Sequence, residues 1–267
     1  MKYKLVVCDM DGTLLTSSHK ISEYTANIIK QIENNGVKFI IATGRPYLDA
    51  KFYRDSLKLK SYLITSNGAR AHNEENKPIV IENIQKDLVK KLLSYNVGTD
   101  IHRNIYLDDK WIIEYEIEGL AEFHHESGYS FNIDNLDKYK NEEAAKVFFL
   151  GKDKDIENLE KNMKKNFQND LSITISSPFC LEFMKKGVNK AETLKKVLKI
   201  LNIKPEEVIA FGDSMNDYEM LSLVGKPFIM GNANKRLIEA LPNVEVVGNN
   251  NEDGIGEKLQ EIFNVEI

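Results

Sequence analysis

The sequence predicts a doubly wound α/β core that carries an inserted α+β domain. Three observations support this prediction. Short apolar segments alternate with helical patterns near the start of the chain, and the same alternation returns near its end. The stretch between them instead has the pattern of a β-hairpin, further strands and a helix. Because strands that alternate with helices build a parallel sheet with right-handed crossovers, both outer stretches are expected to form one core. The predicted core is 1–82 with 187–267, and the predicted insert, a cap domain, is 83–186.

The first half of the core begins with the apolar run Leu5–Cys8, which is typical of a buried parallel strand. Ser22 is expected to cap a helix that ends near Gly36. The apolar runs 37–42 and 62–64 are the next two predicted strands. The chain is then expected to leave the core and return near Gly187.

The second half of the core begins with a predicted helix over 190–201, where apolar residues recur at helical spacing. The alternation then continues to the end of the core. The further predicted strands are 208–211, 227–230 and 244–247, and the further predicted helices are 217–223 and 236–240.

The insert is predicted to contain a β-hairpin, with strands over 101–107 and 111–115 joined by the turn at 108–110. Further strands are predicted at 146–150, 171–176 and 181–184, with a helix at 156–167. An insert placed in this way commonly covers the site of the domain that carries it.

Composition narrows the classes of function. The chain has 36 basic and 41 acidic residues, a formal net charge of −5, which argues against nucleic acid as the main partner. No apolar segment approaches the length of a membrane span, and the two cysteines cannot build a disulfide framework. We therefore expect a cytoplasmic protein without a membrane partner, and the sequence indicates no protein partner.

Polar clusters follow three of the predicted core strands, and four acidic residues stand out among them: Asp9, Asp11, Asp213 and Asp217. Ligands of open α/β sheets bind outside the carboxyl ends of the strands, so these clusters are expected to converge on one crevice. Several carboxylates in a small volume cannot all ionise without a cation. Ligands that are all oxygen favour a hard ion, and Mg²⁺ beside a substrate phosphate fits best.

The same crevice is expected to hold donors for phosphoryl oxygens. Thr43, the amides near Gly44, and Arg45 follow the second strand, and Lys190 begins the helix after the insert. A lysine in the first turn opposes the helix dipole, which favours a functional reason for Lys190. A metal, a carboxylate nucleophile and phosphate donors together indicate phosphoryl transfer.

These motifs resemble those of the haloacid dehalogenase-like superfamily. The segment 9–14, Asp-x-Asp-Gly-Thr-Leu, is similar to its first motif, Thr43 to its second, Lys190 to its third, and 212–217 to its fourth. Asn-Gly-Ala at 67–69, the re-entry at 186–190 and the central α+β insert resemble the Cof-type sugar-phosphatase branch. The resemblance covers essentially the whole chain, including the order and spacing of the motifs.

The resemblance implies a mechanism and a metal site. Asp9 would be the nucleophile that forms an aspartyl-phosphate, and Asp11 would protonate the leaving oxygen and then take a proton from water. Mg²⁺ would bind the carboxylates of Asp9 and Asp213 and the main-chain carbonyl of Asp11. Asp217 would either bind the metal directly or support the residues that do.

The resemblance also implies how phosphate is held. Thr43 and the adjacent amide of Gly44 would bind phosphoryl oxygens, Lys190 would neutralise them while pairing with Asp9, and Asn216 would contact phosphate. Arg45 would contact either the substrate or a structural carboxylate. The expected substrate is a small phosphorylated metabolite, with sugar phosphates as the favoured class.

Two other functions remain open at this point. A phosphomutase would return the phosphoryl group to its sugar rather than to water. A non-catalytic phosphate-binding or regulatory protein would keep the pocket without the reaction, but the presence of every motif argues against it.

Residues of the insert carry weaker signals. His124 and His125 are interpreted as an exposed polar pair, because adjacent histidines do not share a helix face. Trp111 is expected to lie in the insert's own core. His102 and Arg103 could reach a substrate, but no motif supports that role.

Overall fold

The structure, a computed structural model, describes residues 2–108 and 110–265, except the side chains at 122 and 123. In chain order its strands are β1 (Leu5–Cys8), β2 (Lys38–Ala42), β3 (Leu63–Thr65), β4 (Arg70–His72), β5 (Pro78–Ile81), β6 (His102–Tyr106), β7 (Trp111–Ile113), β8 (Phe131–Ile133), β9 (Lys146–Leu150), β10 (Leu171–Ser177), β11 (Cys180–Lys185), β12 (Val208–Gly212), β13 (Lys226–Ile229) and β14 (Glu245–Val246). The α-helices are α1 (Glu23–Asn34), α2 (Tyr47–Ser56), α3 (Lys86–Leu93), α4 (Asp153–Phe167), α5 (Lys190–Leu201), α6 (Tyr218–Leu223), α7 (Lys235–Ala240) and α8 (Gly254–Phe263).

The larger of two sheets has the strand order β14-β13-β12-β1-β2-β3-β4-β5. Neighbouring strands from β14 to β3 run parallel, and β4 and β5 extend the sheet in antiparallel fashion. The chain moves outward from β1 through β2 and β3, and later fills the other side through β12 and β13. This reversal beside β1 opens a crevice at the carboxyl ends of β1 and β12. The predicted doubly wound core is confirmed.

Strand β1 is buried on both faces, which explains its continuous apolar sequence. Val6 packs in a cluster with Ile28 of α1 and Leu259 of α8, whereas Val7 faces a second cluster that contains Leu194 of α5. Alternating polar residues would leave one of these helix layers without apolar contacts.

Side-chain caps fix where two core helices begin. The Ser22 hydroxyl accepts a hydrogen bond from the Thr25 amide at 3.0 Å, as predicted for the start of α1. The side chain of Asn189 accepts one from the Glu192 amide at 2.8 Å. Such caps satisfy amides that have no partner within the helix. The second cap makes Lys190 the first residue of α5.

The smaller sheet, with order β10-β11-β9-β6-β7-β8, belongs to the insert. Strands β6 and β7 form the predicted hairpin, while Asp109 of its predicted turn lies outside the described residues. One face of this sheet packs on α3 and α4, where Phe149 and Phe183 contact a cluster that includes Leu92 and Met163. The opposite face lies over the carboxyl ends of the larger sheet, because its residues line a cavity there.

Several elements of the structure were not predicted, namely α2, β4, β5, α3, β8 and α8. Helix α2 shows why: its buried face includes Asp49 and Arg54 beside Ala50 and Tyr53, so charged residues interrupt the apolar stripe. Within the described ranges, no helix combines the length and the apolar character needed to cross a bilayer.

Candidate active site

A cavity of about 940 Å³ lies between the carboxyl ends of the larger sheet and the insert. Of the nine residues predicted to form the site, six are buried. Three of these six do not line the cavity, namely Thr43, Lys190 and Asp217. The residues that line it from the core include Asp9, Asp11, Gly44, Arg45, Asp213 and Asn216. Those that line it from the insert include His102, Tyr106, Trp111, Lys146, Phe148 and Glu182.

Asp9 follows β1 directly and is held by a buried lysine. The Lys190 ammonium donates to Oδ1 of Asp9 and to Oδ1 of Asp217, both at 2.7 Å, and its side chain has no exposed surface. Burial opposes the charge, but Asp217 and Asp9 together raise the pKa of Lys190 above its ordinary value. The pKa of Asp9 is raised above its ordinary value, first by burial and then by the negative charge of Asp217, while the positive charge of Lys190 opposes the shift. One ammonium therefore compensates these carboxylates only in part.

Asp213 follows β12 and faces the loop after β1. Its Oδ1 accepts a hydrogen bond from the Thr13 hydroxyl at 2.7 Å. Gly12 has φ of +68°, and a Cβ there would come within 2.6 Å of Oδ2 of Asp213, so glycine alone allows this approach. Burial first, and then Asp217, raise the pKa of Asp213 to about 7.

The carboxylates of Asp9, Asp213 and Asp217 have oxygens within 4.8 Å of one another, which fits a divalent cation. Both oxygens of Asp217 are already engaged, Oδ1 by Lys190 and Oδ2 by the amides of Asp213 and Ser214. Asp9 and Asp213 line the cavity, whereas Asp217 is not among its lining residues, and these two carboxylates carry negative charge that one lysine does not balance. The site therefore fits Mg²⁺, and Asp217 contacts Lys190 and the amides that follow β12.

The side chain of Asp11 is bound by Arg45. Nε of Arg45 donates to Oδ2 of Asp11 at 2.8 Å and Nη2 donates to Oδ1, while Nη1 donates to Oδ2 of Asp49 at 3.0 Å. Arg45 is buried, which opposes its charge, but Asp11 and Asp49 raise its pKa. Arg45 was expected to contact either the substrate or a structural carboxylate, and in the structure it contacts two carboxylates.

The predicted phosphate donors occupy the loop after β2 and its surroundings. Thr43 is fully buried, and its hydroxyl oxygen accepts a hydrogen bond from the Arg45 amide at 3.1 Å. Gly44 and Asn216 line the cavity. Asn67, which was not among the predicted site residues, joins them: its Oδ1 accepts a hydrogen bond from Nδ2 of Asn216 at 3.1 Å.

Comparison with known proteins identifies the family. The family model for haloacid dehalogenase-like hydrolases matches residues 6–259. The chain belongs to this family.

Relatives of this hydrolase share its full length. It is 32% identical over 259 residues to an HMP-PP phosphatase of Serratia proteamaculans, with 97% of this chain and 94% of the relative covered. Its fold is similar to that of a haloacid dehalogenase-like hydrolase of B. subtilis (TM-score 0.86, 23% identity, 97% and 99% covered). It is also similar to that of a subclass IIB sugar phosphatase (TM-score 0.84, 22% identity, 98% and 100% covered). The predicted Cof-type branch and the predicted enzyme class, phosphoric monoester hydrolases, are confirmed.

The insert of this hydrolase contributes two charged residues that were not predicted. Lys146 and Glu182 are buried and form an ion pair. The Lys146 ammonium also donates to the carbonyl of Gly44 at 2.8 Å, and Glu182 accepts a hydrogen bond from Asn67. Both residues lie in strands that are otherwise mostly apolar. A charged residue in such a strand, such as the lysine in Lys-Val-Phe-Phe-Leu, is the sequence feature that could have identified them.

The interpretation of His124 and His125 as an exposed pair is wrong for His124. His124 is 1% exposed, because its Nδ1 contacts Oδ2 of Asp49 in the core at 2.5 Å, whereas His125 is exposed. The error arose because His124 contacts a residue 75 positions away in the sequence, and the local sequence does not show this contact.

Other insert residues of the hydrolase divide between packing and the cavity. Trp111 is buried in an aromatic cluster, as predicted, and its surface also lines the cavity. His102 lines the cavity as well, and its Nε2 lies 2.6 Å from the carbonyl oxygen of Tyr115. Arg103 instead forms an ion pair with Glu114 at 3.0 Å.

Proposed function

We propose that this hydrolase is a cytoplasmic, Mg²⁺-dependent phosphatase of small phosphorylated metabolites, with Asp9 as its nucleophile. The observation that supports the proposal best is the position of Asp9 at the cavity. It lies between a buried ammonium, Lys190, and a second carboxylate, Asp213, at the end of a parallel strand. Lys190 supplies part of the positive charge that attack of an anionic nucleophile on an anionic phosphoryl group requires, and a cation bound by the carboxylates would supply the rest.

The chain's own residues divide the chemistry. Asp9 attacks phosphorus and forms the aspartyl-phosphate, which splits one difficult displacement into two. Asp11 gives a proton to the leaving oxygen and then accepts one from the attacking water. Mg²⁺, held by the carboxylates of Asp9 and Asp213 and the carbonyl of Asp11, would supply positive charge that offsets the charge of the transferring group.

Four further residues bind the phosphoryl oxygens in this proposal. The Thr43 hydroxyl and the Gly44 amide act from the loop after β2, and Asn216 acts from the segment after β12. Lys190 neutralises the group while it holds Asp9. No single group of this kind supplies the whole rate enhancement, which for phosphate monoesters reaches about 10²¹.

We also propose that 83–186 act as a cap over a core formed by 1–82 and 187–267. The contacts between the Lys146–Glu182 pair and the core residues Gly44 and Asn67 support this role. A cap that rests on the phosphate-binding loop can exclude bulk water and select the leaving group.

The cavity walls favour a leaving group that contains a ring. Trp111, Phe148, Phe179 and Tyr115 line the insert side of the cavity, and Phe179 and Tyr115 are 48% and 47% exposed. Aromatic side chains offer stacking faces, while Lys146 and Glu182 offer a few polar contacts. Sugar phosphates remain the class predicted from the sequence, and phosphorylated heteroaromatic rings fit the same walls. Relatives named HMP-PP phosphatases are consistent with a small phosphorylated metabolite.

A panel of phosphorylated metabolites tests the function directly. We expect inorganic phosphate release with Mg²⁺ and its loss in EDTA, because the carboxylate cluster then lacks its cation. Isomerised sugar phosphate without phosphate release would instead indicate a mutase. Binding without turnover of any compound would indicate a non-catalytic protein.

Replacing Phe179 tests the cavity walls. In Phe179→Ala we expect KM for ring-containing phosphates to rise roughly 2- to 12-fold, since an aromatic stacking contact contributes about 0.5–1.5 kcal/mol beyond area burial. Glycerol phosphate, which has no ring, should show an unchanged KM. Phe52→Ala, at a comparably exposed phenylalanine (42%) on α2, is the matched control. An equal rise in KM for both substrates would contradict ring stacking at this position.

A further inference from the structure

A chain of polar contacts joins the insert to the carboxylate of Asp11. Arg45 binds both oxygens of Asp11 and donates from Nη1 to Oδ2 of Asp49 at 3.0 Å. The same Oδ2 of Asp49 lies 2.5 Å from Nδ1 of His124, and Nε2 of His124 lies 3.3 Å from the hydroxyl of Tyr106. These contacts run without a break from a strand of the insert to the proposed acid-base residue.

The residues in the middle of this series of contacts are inaccessible to water. The side chains of Asp49 and His124 are 0% and 1% exposed, and that of Arg45 is 2% exposed, whereas that of Asp11 is 33% exposed. A buried carboxylate that loses a donor cannot replace it with solvent. Asp49 would then compete more strongly for its remaining donors, among which Arg45 carries a full positive charge.

The protonation states of His124 and Asp49 indicate that His124 donates its hydrogen bond to Asp49. Burial lowers the pKa of His124, although Asp49 opposes the shift, so the ring is neutral near neutral pH. Burial raises the pKa of Asp49, but the hydrogen bond from His124 and the charge of Arg45 outweigh it and lower that pKa. A neutral ring with its proton on Nδ1 therefore donates to an ionised carboxylate, and Nε2 can accept from Tyr106.

His124 belongs to the insert and Asp49 to α2 of the core, so their contact exists only while the insert rests on the core. We propose that His124 is a positioning residue that, through Asp49 and Arg45, orients Asp11 toward the leaving oxygen when the insert is seated. This inference rests on the proposed function, in which Asp11 protonates the leaving group. Proton donation would then be available only in the closed enzyme.

The dependence on the leaving group tests the inference. His124→Phe keeps an aromatic ring and removes the donor to Asp49. An alkyl phosphate needs a proton on its leaving oxygen, whereas p-nitrophenyl phosphate does not, and kcat/KM reports only the steps up to departure of that group. We expect kcat/KM for the alkyl phosphate to fall on the order of 10- to 100-fold, a part of what general acid catalysis supplies. For p-nitrophenyl phosphate it should change by less than about threefold.

Three further variants separate positioning from packing. His124→Asn, whose amide can donate from nearly the place of Nδ1, should restore most of the alkyl phosphate activity. His125→Ala, at the exposed neighbour, should match the wild type for both substrates. If His124→Phe does not fold, His124→Leu, which also removes the donor to Asp49, provides the same comparison and should show the same selective loss for the alkyl phosphate.

The outcomes also distinguish this inference from the function on which it rests. Equal losses for both substrates, or none for either, in an enzyme whose wild type releases phosphate would overturn the role of His124 and leave the proposed function standing. A wild type that releases phosphate from neither substrate nor from the metabolite panel would overturn the proposed function and this inference with it.

Discussion

The substitution Asp9→Asn is expected to lower kcat by about 10⁴-fold or more, since loss of a nucleophile in a covalent mechanism costs up to ~10⁶. The amide keeps the shape of the side chain but cannot attack phosphorus at a useful rate. Phosphate release from the best substrate of the panel, measured with Mg²⁺ at saturating concentration, gives the value directly.

The fold of that variant should remain intact, because burial already disfavours the charge on Asp9. Asp170→Asn, an identical change at an exposed position in the insert, should keep full activity. Turnover within tenfold of the wild type in Asp9→Asn would exclude Asp9 as the nucleophile and would direct attention to the other carboxylates of the cluster.

The substitution Lys190→Met should be costly for both stability and activity. It leaves the buried carboxylates of Asp9 and Asp217 without their shared ammonium, and breaking a buried ion pair from one side costs about 3–5 kcal/mol. We expect a loss of that size in the free energy of unfolding measured by urea titration. Loss of a charge that binds the phosphoryl group should also lower kcat by about 10²–10³-fold.

Two comparison variants identify the cause of that loss. Lys195→Met changes an exposed lysine of the same helix, whose ion pair with Glu192 lies in solvent, and should alter stability by less than about 1 kcal/mol. Adding Asp217→Asn to Lys190→Met removes one of the two carboxylates left unpaired. It should recover much of the stability without restoring activity. A double variant as unstable as Lys190→Met would mean that packing, and not charge, explains the loss.

The core could be predicted because its strands are buried on both faces. Segments such as Leu5–Cys8 can be recognised from a handful of consecutive apolar residues, and Ser22 marks a helix start by itself. Among the elements that escaped prediction, one helix buries charged groups and the strands are only three or four residues long. Helix α2 buries Asp49 and Arg54, and β4 consists of Arg70–His72, so neither carries the expected pattern of apolar residues.

The candidate site was predictable where it lies beside the core strands, because the carboxyl ends of parallel strands must meet. Asp9, Asp213 and Lys190 were placed together from their positions in the chain, and the structure brings them together. The insert's contribution was not predictable in the same way. Lys146 and His124 contact core residues that are far away in the sequence. The spacing of residues in the sequence does not predict such contacts between the insert and the core.

Alternation along the strands of the smaller sheet gives this protein two separately adjustable surfaces. In β9, Lys146 and Phe148 face the cavity, while Val147 and Phe149 pack against the helices behind the sheet. A change in the first set can alter what the cavity accepts without loosening the helix layer. Neither set includes Asp9. Selection could thus move the enzyme from one metabolite to another by successive single substitutions, with the reactive carboxylates inherited unchanged.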